Sequence, residues 1–208
     1  MIRLQGWNQI LAKEAKMKAR IAICMIAAMM FGVLYAADEE LVPVVDFSIS
    51  ETPREAKMEE MTVAGFQVMN TMEHDAMMKV WGDFMSVVGK LPCDPSAPYY
   101  GVNFFTKDYN PQDHTGFGYM ACAPVLSTEK LPEGVVARKI PARDYIVFEH
   151  KGPLKYLEES FNYIFYKYLP QSDYKALFTD VLEVYDCRFD AESLDSIIEI
   201  WMPVEPKE

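Results

Sequence analysis

Residues 179–190 read TDVLEVYDCRFD, and the middle of this segment alternates in side-chain character as a β-strand does. Its central residues, VLEVY, place one carboxylate, that of Glu183, among apolar and aromatic neighbours. On a solvated strand such a glutamate is ordinary, because glutamate is rarely buried without a partner. On a strand lined by aromatic rings it can instead anchor a ligand. The surrounding sequence predicts the fold and favours one of these two interpretations.

A similar pattern occurs earlier in the chain. Residues 101–125 align with residues 180–204 without a gap, and both segments contain a strand, a polar connection and a second strand that ends in Pro-Val. Few residues are identical, so the spacing carries the inference of an internal duplication. We predict repeat 1 over residues 57–126 and repeat 2 over residues 134–206.

Each repeat also contains an apolar pattern with helical spacing. The apolar residues at steps of three and four are Met77, Trp81, Phe84 and Val88 in repeat 1, and Leu154, Leu157, Phe161, Phe165 and Tyr168 in repeat 2. Each repeat is therefore a strand–helix–strand–strand module. Two such modules can join their strands in one antiparallel sheet with both helices on one face. The sequence thus predicts an α+β fold with a ligand groove between the halves.

Alternation along the strand assigns its side chains to two faces of the sheet. The apolar pair Leu182 and Val184 is expected to face the helices. Glu183 and Tyr185 are then expected on the face without helices.

Several aromatic residues are expected beside Glu183 on that face. In the gapless alignment Phe104 is the equivalent of Glu183, so one repeat places a ring where the other places a carboxylate. Trp201 lies on the next strand, and Tyr145 lies on the first strand of repeat 2. A face this rich in aromatic rings is unusual for a solvated surface. The predicted ligand-binding residues are therefore Glu183, Tyr185, Trp201, Phe104 and Tyr145.

The charge of the chain argues against nucleic-acid binding. The net charge is -11, and no basic stripe follows the N-terminal region, whereas phosphate neutralisation needs clustered Lys and Arg. His74, His114 and His150 lie on separate segments without ligand spacing, so we expect no metal and no cofactor. Beyond the N-terminal region the cysteines are Cys93, Cys122 and Cys187, which match no metal or redox motif and are expected to be buried free thiols.

Residues 1–37 have the layout of a secretory signal peptide. A basic stretch precedes an apolar run over residues 21–37, and acidic residues follow directly. Met17 is an alternative start. We expect export to the periplasm or the medium; the alternative is an uncleaved membrane anchor formed by residues 21–37. Residues 38–56 are interpreted as a linker or an edge segment of the sheet.

Four segments resemble a known family in their order and spacing. They are KIPARDYIVFEHKGPLKYL (139–157), YKYLPQSDY (166–174), VLEVYD (181–186) and EIWMPV (199–204). Together they resemble the GyrI-like small-molecule-binding domain, also called the AraC-type effector-binding domain, over residues 57–206. The resemblance implies the duplicated fold with a groove between its halves. In the multidrug-responsive regulators of this family a buried glutamate among aromatic rings pairs with lipophilic cations, and Glu183 takes that position here.

The sequence departs from those regulators at its N-terminus, where no helix-turn-helix pattern precedes the domain. We therefore expect a binding protein for a small, apolar and possibly cationic ligand, without its own DNA-binding domain. One alternative is a hydrolase of cyclopropane-type electrophiles that uses Glu183, as the resemblance to stand-alone relatives implies. A second alternative is a protein-interaction module. A monomer is expected by default, with membrane contact only through an uncleaved N-terminal segment.

Overall fold

The computed structural model describes residues 46–110 and 112–207. The predicted signal peptide, residues 1–37, and the alternative anchor, residues 21–37, lie outside the described residues. Within the described ranges, no helix combines the length and the apolar character that crossing a membrane requires.

The described chain alternates strands and helices in two successive units. The first part contains β1 (Ser48–Ile49), β2 (Arg54–Met58), β3 (Met61–Met69), α1 (His74–Val87), β4 (Tyr99–Phe105) and β5 (Phe117–Pro124). The second contains β6 (Val136–Ile140), β7 (Arg143–Lys151), α2 (Leu157–Tyr163), α3 (Leu169–Gln171), β8 (Tyr174–Ala176), β9 (Val181–Tyr185) and β10 (Ile197–Pro206). A π-helical turn, Ile164–Tyr168, joins α2 to α3.

The strands of both units form one antiparallel sheet in the order β1-β7-β10-β9-β4-β5-β3-β6, and β2 and β8 add to β7 and β10. The halves meet where β4 pairs with β9 at the centre of the sheet. The predicted α+β fold is therefore confirmed. The described end of the 38–56 segment forms β1 and the start of β2, both beside the outer edge of β7.

Most equivalent strands of the two halves lie further apart along the chain than the gapless alignment assumes. That alignment places position 101 on position 180. In the structure, β3 and β7 begin at positions 61 and 143, and β4 and β9 begin at positions 99 and 181, which places position 101 on position 183. Only the equivalent strands β5 and β10 keep the offset of the gapless alignment. The strand registers show that the connection before β10 is shorter than the connection before β5. The alignment is thus wrong for the strand that carries Glu183. The internal duplication itself stays a prediction.

Buried side chains cover both faces of the sheet. The helix-side cluster joins α1 and α2 to the strands through residues such as Trp81, Phe84, Leu157, Tyr119 and Ile200. The helix-free cluster consists of strand residues: Val63, Val102, Phe104, Met120, Cys122, Ile140, Tyr145, Val147, Leu182 and Val184. Both helices therefore lie on one face, and the other face is apolar and filled by its own side chains.

The predicted orientation of β9 is wrong. Leu182 and Val184 belong to the helix-free cluster, whereas Val181 and Tyr185 belong to the helix-side cluster. Glu183 also points toward the helices, where its hydrogen-bond partners lie. All five residues of β9 are buried, so hydrophobicity does not distinguish the two faces. The groups that donate hydrogen bonds to Glu183, on Asn103, Tyr119 and Tyr185, all lie on the helix side of β9.

Candidate functional site

Glu183 lies at the centre of the sheet, between strands from both halves. It pairs with Gly101 of β4 on one side and with Ile200 of β10 on the other. Its side chain points beneath α1, and the residue is only 6% exposed. A carboxylate at such a position needs hydrogen-bond partners to offset its lost hydration.

Three neutral donors supply those partners. Asn103 donates its Nδ2 to Glu183 Oε1 at 2.8 Å. The hydroxyls of Tyr119 and Tyr185 both donate to Glu183 Oε2, at 2.9 Å and 2.8 Å. Trp81 on α1 donates its indole Nε1 to the Tyr119 hydroxyl at 2.8 Å, which links the helix to the carboxylate.

Aromatic rings surround this hydrogen-bonded cluster. The Trp81 and Tyr185 rings meet edge to face with centroids 4.9 Å apart, and Phe189 meets Tyr185 in the same manner at 4.8 Å. Within the described residues, no Lys or Arg forms an ion pair with Glu183. Among the described residues, the site is therefore a single carboxylate in an apolar, aromatic environment without a counter-charge.

This environment changes how the site titrates. Burial raises the pKa of Glu183, and the hydrogen bonds from Asn103, Tyr185 and Tyr119 offset that effect only in part. Burial and the nearby Glu183 carboxylate also raise the pKa values of Tyr119 and Tyr185 well above their ordinary value. The two tyrosines thus remain protonated donors, while Glu183 is the group whose protonation can change.

The structure divides the five predicted ligand residues between the two faces. Glu183 and Tyr185 lie together on the helix side, but Phe104, Tyr145 and Trp201 lie on the helix-free face. The predicted single groove that contains all five is therefore wrong. Phe104, Tyr145 and Trp201 lie on the face expected for them, so the error comes from the reversed orientation of β9. The gapless alignment, which is off by an odd number of positions, added to it by placing Phe104 and Glu183 on the same face.

Arginines of the chain itself cover two rings on the helix-free face. The Arg54 guanidinium lies 5.0 Å from the Trp201 ring centroid, and that of Arg138 lies 3.9 Å from the Phe104 ring centroid. Tyr145 is 1% exposed, packs edge-on against Trp201, and buries a hydroxyl that has no hydrogen-bond partner among the described residues. The rings of Trp201 and Phe104 thus already contact cations, whereas among the described residues no Lys or Arg lies over the Trp81 or Tyr185 ring.

Sequence reasoning missed four contributors to the Glu183 site: Trp81, Gly101, Asn103 and Tyr119. Gly101 and Asn103 alternate with Val102 and Phe104 along β4, so they face the helices while Val102 and Phe104 face away. An alignment that allowed for the shorter connection in repeat 2 would have placed Gly101 opposite Glu183 and drawn attention to its neighbours. No local pattern distinguishes Tyr119, because it reaches Glu183 from two strands away.

The described residues contain no group of three or more His, Cys, Asp or Glu side chains arranged to hold a metal ion. Cys122 is buried, Cys93 is half-buried and Cys187 is exposed. The expectation of buried thiols therefore holds for Cys122 and is wrong for Cys187.

Comparison with known proteins agrees with this architecture. The family model of the GyrI-like small molecule binding domain matches residues 51–205, most of the chain. The chain belongs to this family. A curated GyrI-like relative, the transcriptional regulator BrlR of Pseudomonas aeruginosa, is 27% identical over 148 residues, which are 69% of this chain and 52% of BrlR. The chain thus matches about half the length of that regulator.

Solved structures show the same GyrI-like fold. An integron cassette protein from the mobile metagenome of Vibrio cholerae has a TM-score of 0.56 at 23% identity, covering 76% of this chain and 99% of its own. SAV2435, solved bound to tetraphenylphosphonium, has a TM-score of 0.57 at 16% identity, covering 74% and 93%. At these identities the likeness establishes the fold.

Proposed function

We propose that this protein binds a small lipophilic cation, with Glu183 as the anionic anchor. Membership of the GyrI-like family supports a small-molecule-binding domain. The proposal of a lipophilic cation rests on the Glu183 site. Its buried carboxylate accepts hydrogen bonds from three neutral donors and is surrounded by aromatic rings, and no cation of the described residues lies beside it.

A cation improves the energetics of this site in two ways. Burial disfavours the charged form of Glu183, and a nearby positive charge reverses that effect. The faces of Trp81 and Tyr185 can add cation–π contacts of roughly 0.5–2 kcal/mol each. The tetraphenylphosphonium bound by SAV2435, a relative in fold, combines a single positive charge with apolar rings and is the natural probe.

Access to the carboxylate requires side chains to move. Glu183 is nearly inaccessible, and two surface grooves of about 420 and 350 Å³ are lined by other residues around Tyr174. Trp81 covers the cluster from α1, so we expect its indole to change environment when a ligand reaches Glu183.

Calorimetric titration with tetraphenylphosphonium tests the proposal. The full-length protein is expected to bind saturably. Glu183→Gln removes the anionic anchor and is expected to weaken binding by about tenfold or more, which corresponds to a loss of about 1.4 kcal/mol or more. Glu199→Gln is the matched control, because Glu199 contacts Trp201 on the sheet face opposite Glu183 and already pairs with Arg54. Absence of saturable binding, or equal affinities of wild type and Glu183→Gln, would contradict the proposal.

The two alternative functions give different results in the same system. Incubation with a cyclopropane-bearing electrophile, followed by mass spectrometry, would reveal hydrolysis as a ring-opened product that Glu183→Gln does not form. Saturable cation binding without turnover favours the binding protein. A protein-interaction module would show neither small-molecule binding nor turnover.

We also propose that the protein is exported, on the basis of its N-terminal sequence. Expression of the full sequence in a bacterial host, with fractionation and intact mass measurement, tests this. A soluble exported product that lacks residues 1–37 is expected. An unprocessed product in the membrane fraction would favour the anchor, and an unprocessed cytoplasmic product would contradict export.

A further inference from the structure

Gly101 faces Glu183 across the line where the two halves of the sheet meet. The two residues are direct partners in the β4–β9 pairing. They are also equivalent positions of the two halves, because each is the third residue of its strand, β4 beginning at Tyr99 and β9 at Val181. A pair that is both facing and equivalent lies where the halves are related by twofold symmetry. One half places a carboxylate at this position and the other places no side chain at all.

Polar groups of the site fill the space where a side chain of residue 101 would lie. A Cβ atom on Gly101 would overlap Glu183 Oε2 and would lie 2.5 Å from the Tyr119 hydroxyl. The Tyr119 side chain crosses β4 directly above Gly101 on its way to Glu183, since a Cβ there would also lie 3.1 Å from its Cζ. Gly101 thus leaves room for both side chains.

Backbone conformation does not require a glycine at this position. The glycines with positive φ among the described residues are Gly116, Gly134 and Gly152, and Gly101 lies in an ordinary strand. An alanine is therefore compatible with the backbone, and the atoms that it would displace belong to two side chains and not to the backbone. Those atoms are the carboxylate and the hydroxyl of the proposed binding site.

We propose that Gly101 is the positioning residue of the Glu183 site: its missing side chain lets the Glu183 carboxylate and the Tyr119 hydroxyl meet above the β4 backbone. This inference rests on the proposed function for its binding readout. It also accounts for the difference between the halves, because a second carboxylate at position 101 would place two buried like charges against each other.

The substitution Gly101→Ala tests this role. Its affinity for tetraphenylphosphonium is expected to fall about tenfold or more, since a binding group must be held to within roughly 0.5 Å. Gly82→Ala is the matched control: Gly82 lies on α1, where an added Cβ meets nothing within 4 Å, and its affinity is expected to stay within about twofold of wild type. Unchanged affinity of Gly101→Ala would overturn the inference.

A second substitution distinguishes positioning from general damage. Glu183→Asp shortens the side chain, so it is expected to weaken binding in the wild type but to strengthen it in the Gly101→Ala background, where space is missing. A merely structural role would make the two losses add. If Gly101→Ala does not fold, removal of both crowding groups by Glu183→Ala together with Tyr119→Phe is expected to restore folding, and failure to do so would count against the inference.

A ligand-independent measurement separates this inference from the proposed function. Failure of the wild type to bind tetraphenylphosphonium contradicts the proposed function alone. The carboxyl carbon of Glu183 can still be followed by NMR during a pH titration. A midpoint that differs between wild type and Gly101→Ala, but not between wild type and Gly82→Ala, supports the positioning role. Identical midpoints in all three proteins overturn it.

Discussion

Two carboxylates of neighbouring strands, Glu183 and Glu199, show how partners decide the protonation of a buried acid. Burial raises the pKa of Glu183, and its three donors are all neutral. Burial also tends to raise the pKa of Glu199, but hydrogen bonds from Trp201, Arg188 and Arg54 outweigh it, and the pKa ends below its ordinary value. Glu199 therefore pairs with Arg54 and Arg188, whereas no Lys or Arg of the described residues forms an ion pair with Glu183.

The charge of the buried Glu183 carboxylate, which no cation of the described residues balances, is expected to lower the free energy of unfolding. Its folded pKa lies above the unfolded value of 4.5, so the stability that the group contributes is present below about pH 4.5 and is lost as pH rises through the folded pKa. Glu183→Gln removes this loss. We expect the variant to melt about 2–4 °C above wild type at pH 8, as for a gain of about 1 kcal/mol, and to show a smaller gain at pH 4.

Thermal unfolding at the two pH values measures this difference. Glu129→Gln, at an exposed position away from the cluster, is the matched control for general charge effects in this acidic protein. A Glu183→Gln variant that is less stable than wild type at pH 8 would show that the three donors already compensate the buried charge.

His150 is a second buried titratable residue, at the junction of β7 with α2. Its Nε2 lies 3.2 Å from the Pro153 carbonyl, and its Nδ1 lies 2.8 Å from Ser160 Oγ. Because a carbonyl only accepts, Nε2 carries the proton and Nδ1 accepts from the serine hydroxyl. The Phe47 ring stacks on the imidazole at 5.8 Å. These contacts fit the neutral form of His150.

Acid is therefore expected to weaken the fold at this junction. Burial lowers the folded pKa of His150 below 6.5, so the unfolded chain takes up a proton first as pH falls. The free energy of unfolding should decrease by about 1 kcal/mol between pH 7.5 and 5.5, one pKa unit being about 1.4 kcal/mol. Urea unfolding at both pH values, compared with His150→Gln, isolates the effect. An equal decrease in the variant would assign it to other groups.

At the scale of elements, glycines mark where packing is tight and where it is open. Gly65 on β3 pairs with Cys122 of β5, and an added Cβ would overlap the Ala121 backbone oxygen. Gly82 on α1 is exposed, and an added Cβ would contact nothing. The same chemical change therefore has opposite consequences in a strand of the sheet and in the helix that covers it.

Gly65→Ala is expected to destabilise the protein by about 3 kcal/mol or more, because the backbone of β5 cannot move aside as a side chain can. Gly82→Ala is expected to stabilise it by up to about 1 kcal/mol through helix propensity. Denaturant midpoints of the two variants and wild type give the comparison. A Gly65→Ala variant as stable as wild type would contradict the close approach of β3 to β5.

At the scale of the whole molecule, an ion pair and a cation–π contact connect one edge of the sheet to its centre. Arg138 lies on the edge strand β6, yet its guanidinium covers Phe104 of β4 and donates to Asp180 Oδ1 at 2.8 Å from Nε and 2.5 Å from Nη2. Asp180, directly before β9, is 5% exposed. Because β6 is separated from β4 by two strands, this contact requires the sheet to curve over its helix-free face.

Loss of this contact is expected to weaken the whole domain. Arg138→Met leaves the Asp180 carboxylate buried without its cation, and we expect a loss of about 2–3 kcal/mol, less than for a fully buried pair because the Arg138 side chain is 29% exposed. Lys139→Met is the matched control, since the pair of Lys139 with Glu60 is exposed and contributes at most about 0.5 kcal/mol. Equal losses in chemical denaturation would contradict a special role for Arg138.

Much of the architecture could be predicted from local sequence. The helical spacing of apolar residues predicted α1 and α2, and the strand pattern with Pro-Val endings predicted β4, β5, β9 and β10. The strand pattern alone allowed Glu183 to be an ordinary exposed residue, and the resemblance to the GyrI-like family is what favoured a buried role for it. The structure places that carboxylate in a buried hydrogen-bonded cluster. These features depend on side chains close together in the chain, which the sequence displays directly.

The faces and the partners depended on tertiary structure. A strand buried on both sides carries no hydrophobic alternation, so nothing local shows that Glu183 faces α1, away from the face that carries Phe104 and Trp201. The register that makes Gly101 the equivalent of Glu183 is decided by connection lengths and by pairing across the sheet, neither of which a gapless alignment reveals. The sequence alone therefore determined the α+β modules and singled out Glu183 as the carboxylate of an apolar strand. Only the folded sheet brought Tyr119 and the bare backbone of Gly101 against it, because these contacts join residues that are far apart in the chain.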